Sequence, residues 1–180
     1  MTGAAQTRLL TGRLDLRALR PDDTDRLHPI ISDPANCAYL PEGPRESLEA
    51  SRAWIERFAA RWAVNGLGYW TVRLRAAGPV IGVGGAERRP GHWNLYYLLD
   101  RARWGSGYGT ELARAAQRAA AALAPEVPLV AWIHQDNAAS QAVARHLGLA
   151  DYGQLEPRHW DGQPMHYWAD RRPAPRPGTA

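Results

Sequence analysis

The chain of 180 residues contains no lysine, so all 22 of its basic residues are arginine. The phosphate loop of nucleotide hydrolases needs a lysine after its last glycine, so that chemistry is excluded. One cysteine, Cys37, excludes an internal disulfide and fits a reducing cytoplasm. No apolar run approaches the roughly 18 residues that cross a bilayer. The opening "MTGAAQTRLLTGRLDLR" lacks the apolar stretch of a secretory signal. A cytoplasmic protein without a membrane partner is expected. With 18 acidic residues the net charge is +4, yet the arginines stand singly or in pairs. No dense basic stripe points to nucleic acid, and a modest positive charge suits a small polyanion equally well.

Periodicity and turn chemistry supply the elements. "RLDLRAL" (13–19) alternates as a half-buried strand, with Leu14 and Leu16 inward and Arg13 outward. A short helix follows, with Asp22 as cap and Pro29 limiting it. Trp54, Phe58 and Trp62 recur every four residues in a helix from Ser47 to about Ala63, stopped by Asn65-Gly66. "YWTVRLR" and "PVIGVGGAE" read as a hairpin, and "HWNLYYLLD", apolar on both faces, as a central strand. A helix over 107–123, a buried strand over 128–134 and a helix over 137–147 follow. Two strands near Tyr152–Glu156 and Met165–Ala169 close the order, joined by a turn at Asp161-Gly162. The expected sheet is mixed, with a right-handed crossover between the parallel strands 93–100 and 128–134. One domain over 8–172 and a disordered tail over 173–180 are expected.

The segment "DRARWGSGYGTEL" packs Gly105, Gly107 and Gly109 between a strand and a helix. A dinucleotide fingerprint would need G-x-G-x-x-G and an acid closing the next strand. The spacing here is G-x-G-x-G and the strand ends in His134. A tight corner alone needs fewer glycines. What remains is a loop that presses bare main-chain N–H groups against an anion.

"YYLLDRARWGSGYGTELARAA" resembles the pyrophosphate-binding motif of the GNAT superfamily, the acyl-CoA-dependent N-acetyltransferases. Trp104 stands where the general pattern has Gln or Arg, a departure shared by the ribosomal-protein alanine and serine acetyltransferase (Rim-type) branch. "RLDLRALRPDD", "YWTVRLRAAGPVIGVGG", "DNAASQAVARHLGL" and "DGQPMHYWA" resemble that branch in matching order. The resemblance implies an α/β (α+β) GNAT fold: a mixed, mostly antiparallel seven-stranded sheet, about four helices and two splayed central parallel strands. It also implies acetyl-CoA as co-substrate, no metal, and an amine acceptor, either a protein N-terminus or a small molecule, in a monomer or homodimer. Trp104, Gly105, Ser106, Gly107, Tyr108, Gly109 and Thr110 would meet the pyrophosphate. Arg101, Arg103 or Arg114 would meet the 3′-phosphate. Leu98 and Leu99 would bond the pantetheine arm through their main chain, with Asn137 opposite; Asn137 as a helix cap is the other reading.

Direct attack of a neutral amine on the thioester is implied. A lysine amine of pKa ~10.4 costs roughly 4–5 kcal/mol to deprotonate at pH 7, an α-amine near ~7.7 only about 1. A weak base in the site therefore favours α-amines. Family members often carry a Glu where Asn94 falls; Glu87 is the candidate base, directly or through water, an exposed loop carboxylate being its alternative reading. His134 is the other candidate. The family's Tyr that protonates the thiolate is Ala144 here, which leaves Ser140, one turn earlier, to hydrogen-bond the sulfur. Trp70, Trp93, Tyr96, Tyr97, Trp132, Trp160, Tyr167 and Trp168 are candidates to border a flat or apolar acceptor, with most of them expected in the core. A catalytically silent acyl-CoA-binding module of the same fold is the alternative function.

Overall fold

The computed structural model describes residues 7–154 and 164–172. Eight strands form one sheet: β1 (Arg8–Leu10), β2 (Leu14–Ala18), β3 (Tyr69–Leu74), β4 (Val80–Arg89), β5 (His92–Leu99), β6 (Leu129–His134), β7 (Ala150–Asp151) and β8 (Met165–Ala169). Their spatial order is β1-β2-β3-β4-β5-β6-β8-β7. Only β5 and β6 pair in parallel, so the sheet is mixed as expected. The eighth strand is β1, a three-residue edge hairpin partner of β2 too short to carry a periodicity. Tyr152 and Gly153 prolong the β7–β8 ladder through bonds with Tyr167. The turn at Asp161-Gly162 and the tail lie outside the described residues.

Helices α1 (Thr24–Ile31), α2 (Leu48–Ala59), α3 (Arg61–Asn65), α4 (Tyr108–Leu123) and α5 (Ala138–His146) cover both faces. On one face α1 and α2 bury Leu27, Ile31, Trp54, Ile55 and Phe58 against Tyr69, Val83 and Leu98. On the other, α4 and α5 bury Leu112, Ala116, Ala144 and Leu147 against Trp70, Trp93, Leu95 and Leu99. Two helix ends differ from expectation. Asp23, not Asp22, stands at the N-cap position of α1, and its side chain makes no cap bond: its carboxylate accepts instead from the Arg20 N–H and the Thr71 hydroxyl. The 47–63 helix is broken at Ala60 into α2 and α3, which sends Trp62 to the opposite core from Trp54 and Phe58. Ser47 caps α2 as its position predicts, and Gly66 ends α3 at φ 67°.

An ion cluster pins the edge of the sheet. Asp15, on β2, accepts hydrogen bonds from Arg8 and Arg17, and these hold its carboxyl down at about 2. A depressed carboxylate contributes stability above its unfolded pKa and loses it as pH falls. Its arginine partners are half-exposed, which screens the gain to about 1 kcal/mol. Asp15→Asn is expected to lower unfolding free energy by that amount at pH 7. The difference from wild type should shrink as pH falls below about 4 and through the folded-state value of about 2. Urea titrations at several pH values check this, and a deficit of unchanged size at pH 2 would mean packing, not charge, is responsible.

Candidate functional site

The centre of the molecule is shaped by how β5 treats its two neighbours. Toward β4 the antiparallel register is unbroken from His92 to Leu99. Toward β6 only Trp93 and Asn94 find parallel partners, and beyond them the two strands diverge. Antiparallel ladders alternate, so successive residues aim their N–H and C=O groups to opposite sides. The Asp100 N–H bonds the Ile81 carbonyl, and the Trp93 N–H turns the other way to Pro128. By that alternation Leu98 spends its main-chain groups on β4, while Tyr97 and Leu99 turn theirs into the gap beside β6. The expectation for Leu98 is thus corrected by one residue: its peptide is occupied, and Tyr97 shares the open edge with Leu99. The indole N–H of Trp104 already takes the Leu99 carbonyl at 2.9 Å, which ties the glycine loop to the strand end.

The loop itself turns sharply, with Gly105 at φ 74° and Gly107 at φ 78°. Gly107 caps α4, and the N–H groups of a helix's first turn have no intrahelical acceptors. Gly105, Gly107, Tyr108, Gly109 and Thr110 line one end of a cavity of about 630 Å³, while Ser106 is exposed and takes no part in the lining. Arg103 lines the same end, and its Nε is buried without a hydrogen-bond partner. Of the other two arginines, Arg114 bonds the His146 carbonyl and Arg101 stays exposed.

Helix α5 walls the other side. Asn137 caps it, its Oδ1 accepting the Ser140 N–H at 3.0 Å, so the cap reading holds. Its amide nitrogen is left as a donor beside the cavity that Asn137 and Ser140 both line. Tyr97 comes from β5 to the same spot. Burial pushes its phenol up, against a hydrogen bond from Ser140.

The far end of the cavity is aromatic. Tyr96 and Trp132 line it, whereas Tyr97 also lines the cavity but lies beside Gly109 and Ser140, nearer the loop. Trp70, Trp93, Tyr167 and Trp168 are buried in the core, the place expected of most of these aromatics, and Trp160 lies outside the described residues. Tyr39, Trp54, Phe58 and Tyr69 take part without having been singled out. Tyr69 stacks at 4.8 Å on Phe58 and lies 5.0 Å from Tyr96. The Trp54–Phe58 spacing was visible; that its stripe reaches a cavity was not.

Glu87 is neither exposed nor in a loop. It sits inside β4, 1% exposed, with Arg61 at 3.2 Å and Arg89 at 2.9 Å. The Tyr69 hydroxyl, which does line the cavity, donates to its Oε2 at 3.4 Å, and the Asn94 side chain also bonds that phenol. Burial, then the charge of Glu87, raises the Tyr69 phenol well above the ordinary tyrosine range. His134 accepts the Asp136 N–H on Nδ1 at 3.1 Å, so that nitrogen's lone pair is already engaged. Cys37 is buried beneath α1 with its thiol pushed up, so it has no thiolate to offer. Among the described residues no group of three His, Cys, Asp or Glu side chains is placed to hold a metal, and no helix is long and apolar enough to cross a membrane.

Solved structures share this architecture. An acetyltransferase from Agrobacterium tumefaciens is 26% identical over 92% of this chain and 94% of its own, with a TM-score of 0.77. RimL, a ribosomal L7/L12 α-N-protein acetyltransferase solved in complex with coenzyme A, is 22% identical over 89% and 95%, at 0.74. A GNAT-family acetyltransferase from Bacillus anthracis is 16% identical over 90% and 95%, at 0.72. The model of the acetyltransferase (GNAT) domain matches residues 13–150, most of the chain, and the protein belongs to that family of acetyltransferases.

Proposed function

We propose that the protein transfers the acetyl group of acetyl-CoA to a primary amine by direct attack within a ternary complex. The observation that carries this reading is the pairing of an open β5 edge with a glycine loop at a helix start, both lining one cavity. The diphosphate would lie on the first turn of α4, where the helix dipole adds roughly 0.3–1 kcal/mol. Arg103, with its unsatisfied Nε, would meet a phosphate. The pantetheine arm would bond Tyr97 and Leu99 as a missing strand does, with the Asn137 amide on the other wall. That puts the thioester beside Ser140.

The acceptor would enter from the aromatic end. Charges lining that end are internally paired, Glu42 with Arg45 and Arg89 with Glu87. The remaining lining carboxylate, Asp136, is exposed and meets only His134 at 3.7 Å, which leaves one anionic group where a polyamine would need several. A monoamine on a flat or apolar body, or a protein α-amine, fits better. The amine's proton would pass to the Tyr69 oxygen as Tyr69 hands its own to Glu87. Glu87→Gln is then expected to lower kcat/KM below about pH 8, where an α-amine of pKa near ~7.7 is increasingly charged, and to spare it above. An unchanged pH–rate profile would remove Glu87 from the reaction.

A silent acyl-CoA-binding module is the second reading, favoured by one observation: the cavity-lining position of β5 opposite Glu87 is Asn94, which takes no proton. Thiol release from acetyl-CoA in a mixed pool of amines separates the two. Release above the hydrolysis background identifies the enzyme. Saturable binding without release identifies the module, and no thermal shift with millimolar acetyl-CoA sinks both.

A further inference from the structure

From the alternation of 13–19 Arg13 reads only as the outward residue that opens a half-buried strand. It stands instead at the β1–β2 turn and reaches across the sheet end to the glycine loop. Its Nη1 donates to the Ser106 carbonyl at 2.8 Å. Its Nε donates to Glu111 Oε2 at 2.7 Å, and its guanidinium lies 4.5 Å over the Tyr108 ring. Glu111, in the first turn of α4, is anchored in turn: its Oε1 accepts from the Arg13 N–H at 2.7 Å and the Thr11 hydroxyl at 2.6 Å. Burial pushes the Glu111 carboxyl up, but these bonds together outweigh it and hold the group below its usual range.

A trans peptide points its carbonyl and its N–H in opposite directions. The Ser106 carbonyl and the Gly107 N–H belong to one peptide plane. A guanidinium that holds the carbonyl from behind the loop aims the N–H to the front, where Gly107 lines the cavity. Gly107 also gives its own carbonyl to the Glu111 N–H at 3.1 Å, so the same residue pair starts the helix. Charge points the same way. A bare carboxylate in the first turn of α4 would repel an incoming anion, and Arg13 neutralises it.

We infer that Arg13 is a positioning residue for diphosphate binding: from the β1–β2 turn it orients the Gly107 N–H and masks the Glu111 charge. This rests on the acetyl-CoA reading of the cavity. Three probes test it by calorimetry: coenzyme A, dephospho-coenzyme A, which keeps the diphosphate but lacks the 3′-phosphate, and pantetheine, which has neither. Arg13→Ala should weaken the first two by tenfold or more and leave pantetheine within twofold. Arg13→Lys, whose compact ammonium lacks the two separate nitrogens that reach Ser106 and Glu111, should fall between. A loss of equal size on all three probes would mean general loosening and overturn the role, whatever the melting temperature. A loss that disappears with dephospho-coenzyme A would move the effect to the 3′-phosphate and also overturn it. Tight binding by wild type with Arg13→Ala undiminished overturns only Arg13. Wild type indifferent to coenzyme A overturns the cavity's reading and Arg13 with it.

Discussion

Replacing Ser140 by alanine is expected to lower kcat roughly 10²-fold, the usual cost of removing one donor from a developing anion, while the affinity for coenzyme A stays within about twofold. In direct acetyl transfer the tetrahedral intermediate collapses by expelling the CoA thiolate. Something must meet that charge, and the helix position where the family carries a tyrosine is Ala144, buried at 1% exposure. Ser140 lies one turn closer to the helix start and lines the cavity. Its main chain is fixed by the bond from its N–H to Asn137, so its hydroxyl is presented from a rigid cap. The first turn of α5 adds its own dipole in the same direction. Tyr97 stands behind it, its buried phenol hydrogen-bonded with Ser140. If the two act as a relay, Ser140→Ala with Tyr97→Phe should be little worse than Ser140→Ala alone. A loss below threefold in Ser140→Ala would show that water protonates the thiolate. The readout is single-turnover chemistry, because slow product release would hide the effect in steady state.

What could be read from the chain follows the range of the interactions. The glycine loop and α4 are local: Gly107, the apolar stripe from Leu112 to Ala119 and the preceding strand lie within thirty residues, and the structure matches them. Leu98 and Leu99 look alike in a run that is apolar on both faces. Which of them opens its main chain to the gap is set by ladder parity with β4, a property of the pair and not of the strand. Glu87 reads as a strand end before "RRP". Its burial comes from Arg61 on α3 and Tyr69 on β3, elements distant in sequence whose convergence has no local sign. The break at Ala60 has no marker either, since alanine suits a helix interior. Arg13 alternates outward like any edge residue, and only the tertiary approach of β1–β2 to α4 gives it a task.

Gly82→Ala should be the most destabilising small substitution in the sheet, by at least about 3 kcal/mol, or roughly 6–12 °C in Tm for a domain of this size. An added methyl would stand 2.3 Å from the Leu98 carbonyl oxygen and 2.9 Å from the Leu99 Cα. Both are main-chain atoms of the central strand, so no rotamer change relieves the overlap. Gly84 repeats the situation two residues on, its added methyl meeting the Tyr97 Cβ at 2.6 Å. Glycines on β4 therefore let β5 press close to it where β5 is leaving β6. The same closeness that the methyl would forbid is what keeps the opposite edge of β5 open. Pushing β5 outward would narrow the gap as well as weaken the sheet, so coenzyme A affinity should fall together with stability. Gly91→Ala is the control: at φ 83° it is strained, but its methyl meets nothing within 4 Å. A left-handed alanine costs about 1 kcal/mol, or roughly 2–4 °C, with coenzyme A affinity intact. Equal melting temperatures for the two variants would show that β4 and β5 have slack, and that the open edge owes nothing to the glycines beside it.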